Sequence, residues 1–93
     1  MITPKMKRRI KRELSDKEPT VWIGKNGVSR EVLAEIDGQL ERTEMLKVRI
    51  LKTALGENNA KTIAAKIAQQ TESVLVEVRG HTFMLYRKKK KKM

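Results

Sequence analysis

Cysteine is absent from the 93 residues. The chain therefore has no disulfide framework, thiolate metal site or cysteine nucleophile, which favours a reducing intracellular compartment. Acid–base chemistry has one histidine to draw on, His81, and two aspartates, Asp16 and Asp37. Such mechanisms need paired groups. Most glutamates fall at solvent-facing positions of predicted helices, and no cluster has the spacing of a two-metal phosphodiesterase or a His-containing zinc site. An enzyme is not expected, nor a metal, a cofactor or a small-molecule substrate. No apolar run approaches the roughly 18 residues of a membrane span, and the opening MITPKMKRRIKREL is charged where a signal peptide carries its apolar segment. A soluble, cytoplasmic protein without a membrane partner is expected. Aromatics are as scarce: Trp22, Phe83 and Tyr86 are the whole set. With Trp22 and Phe83 read as core residues, no base-stacking platform of the RRM type is expected.

Positive charge is what the chain has in excess. Twenty-two Lys and Arg stand against eleven Asp and Glu, a formal net charge of +11. Residues 1–12 carry six basic groups and residues 87–93 another six, with no acid in either stretch. The ten basic and eleven acidic groups of residues 13–86 nearly cancel. A field of this kind predicts a polyanionic partner, with nucleic acid ahead of an anionic membrane surface. Hydrophobic residues make up 39%, enough for one packed core, and the length suits a single domain.

Thr3 before Pro4 reads as a helix N-cap with proline in the first position, and Met6, Ile10 and Leu14 repeat every fourth residue. Lys7, Arg8, Lys11 and Arg12 fill the rest of that helix and turn a basic face outward. Pro19 is read as ending the helical run, and Thr20-Val21-Trp22-Ile23 as a short buried strand. Ser29 is the predicted N-cap of a second helix with Val32, Leu33, Ile36 and Leu40 inward. Its outer side carries Glu31, Glu35, Asp37 and Glu41, which either keep the helix soluble or meet a basic protein, and Gly38 within it suggests close packing. Leu46, Val48 and Ile50 alternate as a strand under the helices, with Lys47 and Arg49 on the other side. A polar break at Gly56-Glu57-Asn58-Asn59 leads to Ala60, Ile63, Ala64, Ile67 and Ala68, the spacing of an amphipathic helix. Val74, Val76 and Val78 alternate, Gly80-His81 makes a two-residue turn, and Thr82 to Tyr86 completes a hairpin.

The order helix-strand-helix-strand-helix-strand-strand predicts a compact α/β two-layer sandwich. Its four-stranded sheet is mixed, with some parallel pairing, an antiparallel hairpin and the two strand-following helices on one face. A single domain spans residues 1–87, and Lys88 to Lys92 form a like-charge tail expected to be disordered when free.

The sharpest local feature is Gly24-Lys25-Asn26-Gly27. Two glycines let backbone approach a phosphate, the helix start after it presents free N–H groups, and Lys25 adds a mobile charge. The alternative is an ordinary strand-to-helix turn. Neither the Walker spacing nor the dinucleotide GxGxxG is present. KH domains clamp nucleotides with the same GxxG device, though there the loop joins two helices.

The run Val21-Trp-Ile-Gly-Lys-Asn-Gly-Val28, then Val32-Leu-Ala-Glu-Ile36, then Glu44-Met-Leu-Lys-Val-Arg49, resembles the CRM domain, the chloroplast RNA splicing and ribosome maturation module. The resemblance continues through the last two strands and stops at the lysine tail. It implies an RNA-binding fold like the C-terminal domain of bacterial initiation factor three. The family's GxxG loop maps onto Gly24, Lys25, Asn26 and Gly27, and its basic surface onto the first helix with Lys47 and Arg49. Stand-alone prokaryotic members are associated with precursor large ribosomal subunits, and plant members with group II intron splicing. The expected partner is thus structured RNA, ribosomal RNA of the precursor large subunit first, bound by a monomer. The competing expectation is an architectural duplex-DNA-binding protein of the Alba type.

Overall fold

The computed structural model of the chain describes residues 2–24, 27–52 and 59–88. Its elements are α1 (Pro4–Ser15), β1 (Val21–Ile23), α2 (Arg30–Thr43), β2 (Met45–Ile50), α3 (Ala60–Gln70), β3 (Val74–Arg79) and β4 (Thr82–Tyr86). Each helix opens on the side chain its sequence offers: Thr3, Ser29 and Asn59 accept from the N–H of Met6, Val32 and Thr62 at 3.2, 3.2 and 2.8 Å. These caps satisfy donors that no helical carbonyl can reach.

The strands form one sheet in the order β1-β2-β4-β3. β1 and β2 run parallel, the pairing expected of a strand-helix-strand unit, and the other two pairings are antiparallel. One face carries α2 and α3. Leu46, Val48, Ile50, Phe83 and Leu85 of the sheet pack there against Ile36, Leu40, Ile63 and Ile67, all buried.

α1 lies on the opposite face. Ile10 and Leu14 pack on Val76 and Met84, flanked by Met45 and Tyr86. The expected sandwich therefore gains a third, partial layer. A β-bulge in β3 between Leu75 and Glu77 makes this possible. The extra residue breaks strict alternation, so Leu75 and Val78 serve the α2/α3 core while Val76 serves the α1 side. The sequence expectation had placed Val76 and Val78 together.

α1 also ends four residues before Pro19. The ammonium of Lys47 donates to the carbonyls of Leu14 and Lys17 at 3.2 and 3.0 Å, and the N–H of Lys17 donates to Leu14 at 3.1 Å. A cation on one carbonyl of the last turn and one just beyond it fastens the end of the helix to β2. On the α2/α3 side of the sheet, Arg87 joins three elements. Its guanidinium donates to the Asp37 carboxylate at 2.6 Å, the Asp37 carbonyl at 3.0 Å, Glu41 at 3.4 Å and the Thr71 carbonyl at 2.9 Å. Two of the acids on the outer side of α2 are thus engaged within the fold.

Candidate nucleic-acid interface

β1 shows how the site arises. Val21 and Ile23 are buried in the α2/α3 core, and because side chains of a strand alternate, Trp22 must face the other way. Trp22 is 53% exposed, which overturns its reading as a core residue. The β-branched neighbours hold the inward positions, and α1 does not extend over this corner of the sheet. Phe83 is fully buried as expected.

Strand register then sets what surrounds Trp22. It pairs with Arg49 of β2, Arg49 pairs with Thr82 of β4, and Thr82 pairs with Arg79 of β3. One row across all four strands thus reads Trp22, Arg49, Thr82, Arg79. Arg49 is exposed and the Arg79 side chain is 79% exposed. Beside the row runs a groove lined by Ser15, Lys47, Glu77, Arg79, Thr82 and Met84, between the end of α1 and the sheet.

β1 runs directly into the GxxG segment. The N–H of Gly27 donates to the carbonyl of Gly24 at 2.8 Å, which holds the two glycines of the tetrapeptide together. Gly27 sits at φ +67°, in the left-handed region that favours glycine. Lys25 and Asn26 lie outside the described residues. Two residues beyond Gly27, Ser29 caps α2, so the N-terminus of that helix opens beside the loop.

α1 supplies the remaining predicted cations. Lys7, Arg8 and Arg12 are exposed. Lys11 lies 3.5 Å from Oε1 of Glu77, and Arg79 lies 3.7 Å from the same oxygen. That carboxylate links α1 to the sheet row and offsets part of the charge there. Lys47 is brought to the same groove, but its ammonium is held by the end of α1. Sequence reasoning missed Arg79, Thr82 and the outward turn of Trp22. The alternation of Val21-Trp22-Ile23 carried the signal for Trp22, whereas Arg79 and Thr82 needed the register. Of the lysine tail, Lys88 is exposed and residues 89–93 lie outside the described residues. His81 is exposed at the hairpin tip, where its carbonyl accepts from the N–H of Ile50 at 2.7 Å.

The sequence matches the CRS1 / YhbY (CRM) domain over residues 2–87. The chain belongs to the CRM family. Among its relatives is a probable RNA-binding protein of Methanocaldococcus jannaschii, 38% identical over 86 residues, which are 92% of this chain and 63% of that one. The chain therefore spans less than two thirds of that relative's length. A probable RNA-binding protein of Bacillus subtilis is 30% identical over 97% of this chain and 92% of its own. An RNA-binding protein of Haemophilus influenzae is 30% identical over 92% of this chain and 85% of its own. The CRM fold is seen again in the solution structure of a hypothetical protein from Staphylococcus aureus, described as a candidate RNA-binding protein. The two superpose with a TM-score of 0.78 at 31% identity, over 100% of this chain and 95% of that one.

Proposed function

We propose that this CRM protein is an RNA-binding module, not an enzyme, that recognises structured RNA through its phosphate backbone. Its first target is ribosomal RNA of the precursor large subunit, and its setting is ribosome maturation in the cytoplasm. The observation that carries this reading is the position of the Gly24–Gly27 hydrogen bond. It lies at the end of β1, next to the α2 N-terminus and to a sheet row with two outward arginines. Backbone N–H groups of the loop, with Lys25 and Asn26, take phosphate oxygens. Lys7, Arg8, Lys11 and Arg12 extend the contact along α1, Arg49 serves from the sheet, and Lys47 keeps α1 in place. The domain is residues 1–87, acting as a monomer, and the lysine tail adds long-range attraction.

The names of the relatives support RNA as the ligand class and lend nothing to the duplex-DNA reading. The test is binding of the intact protein to large-subunit ribosomal RNA fragments, an unrelated RNA and duplex DNA across a salt series, beside a Lys25→Glu, Asn26→Asp variant. The variant is expected to lose most affinity for structured RNA. Unchanged RNA binding by the variant, with duplex DNA bound equally well, would remove the loop from the site.

A further inference from the structure

The GxxG loop and the cations of α1 account for backbone recognition. They leave Trp22 unused. A tryptophan half-exposed on a sheet costs apolar hydration, and single exposed hydrophobics are ordinary. Its setting is not ordinary. Its neighbour on the row is Arg49, Arg79 closes the far end, and the strand that carries it runs straight into Gly24. Strands lie about 4.8 Å apart, so the row from Trp22 to Arg79 spans roughly 14 Å. That separation places one flat aromatic surface at one end and cations farther along it. α1 stops short of the row, with Ser15 in the groove wall.

We propose that Trp22 is a stacking platform for one unpaired base of the bound RNA, with Arg49 and Arg79 on phosphates of the strand that leads away from it along the row. The inference rests on the RNA-binding reading above and deepens it. The protein then distinguishes an RNA with an unstacked nucleotide beside a helix from a fully paired one. Indole stacks on any base, so the preference is for an unpaired base and is indifferent to which base it is. The Thr82 hydroxyl, midway along the row, is placed to hydrogen-bond a sugar or phosphate oxygen. The electrostatics suit this occupant. The row carries two exposed guanidinium groups, and the acid beside it, Glu77, is already shared by Lys11 and Arg79 and is only 18% exposed. An acidic protein segment would also meet the charge, but it would not need a flat aromatic surface.

Trp22 is the chain's single tryptophan, so its fluorescence reports on this position alone. The full-length protein is titrated with three RNAs: a hairpin with a mixed-sequence unpaired loop, the same hairpin with abasic sites throughout the loop, and a fully paired duplex. The intact hairpin is expected to quench Trp22 and to bind more tightly than either control, by about the 5- to 150-fold that one stacked base supplies. Trp22→Ala is expected to weaken hairpin binding by about 5- to 150-fold, the range for loss of one stacked base. Duplex binding stays as in the wild type, and Trp22→Phe retains most of the hairpin preference. The abasic hairpin tests the wild-type protein directly, so the result does not hang on the folding of a variant. Equal binding of intact and abasic hairpins, or unchanged hairpin binding by Trp22→Ala, overturns the stacking role while RNA binding itself stands. Failure of all three RNAs to bind overturns the RNA reading and this inference together. Dependence on Trp22 without any effect of the Lys25→Glu, Asn26→Asp change would keep the platform and remove the loop.

Discussion

Gly38 shows how a single residue can mislead when only its type is known. A glycine within a helix suggests a close neighbour, yet a Cβ built there would meet nothing nearer than Nη1 of Arg42, at 3.7 Å. That is an ordinary contact with the far end of a flexible side chain. Gly38→Ala should therefore raise stability by about 0.5–1 kcal/mol, by lowering the backbone entropy lost on folding. Thermal unfolding should show it as a rise of several degrees, given about 4–8 °C per kcal/mol for a domain of this size. A fall in Tm would mean that the helix needs the space. Gly27 is the opposite case, since its φ of +67° disfavours any side chain even where room exists. Trp22 was legible in principle, because strand alternation alone turns it away from Val21 and Ile23. In this three-residue strand, alternation outweighs the hydrophobicity of the indole.

At the scale of elements, α1 is held by a residue that sequence reading assigned to the ligand. Lys47 donates to the carbonyls of Leu14 and Lys17 and so fastens the end of α1 to β2. Lys47→Met keeps an unbranched side chain only one atom shorter and removes the donors. It should cost about 1 kcal/mol in denaturant unfolding, as two carbonyls lose a charged partner to water. Amide exchange in the last turn of α1 should accelerate, while the salt dependence of RNA binding stays as it was. A flatter salt slope with unchanged stability would return Lys47 to the phosphate contacts. The elements were the most legible part of this chain. Thr3, Ser29 and Asn59 cap where a polar oxygen precedes an apolar repeat, and Gly80, at φ +59°, lies in the hairpin turn where expected. The stop of α1 was not legible, because it depends on a lysine more than 30 positions away in sequence.

For the whole molecule, the distribution of charge matters more than its sum. The acids of the folded centre are partly consumed inside it: Asp37 and Glu41 by Arg87, and Glu77 by Lys11 and Arg79. The outward positive field is left to α1, the sheet row and the C-terminal lysines. Removing Lys88 to Lys92 should weaken binding to structured RNA, unrelated RNA and duplex DNA alike. The plot of log affinity against log salt should flatten by up to about 0.9 for each lost duplex phosphate contact. A tail-deleted protein with an unchanged slope would show that these lysines touch no phosphate.

Local patterning by itself determined the order of the elements, the helix starts and the turn of the last hairpin. Those features depend on capping oxygens, on periods of 3.6 and 2, and on glycine's access to positive φ, all of which act within a few residues. Only the tertiary structure decided that α1 crosses to the far face of the sheet, that a bulge in β3 gives it Val76, and that Arg49, Thr82 and Arg79 extend from Trp22 in one row. Those outcomes depend on register and on which faces are left to cover, and strands far apart in sequence settle both together.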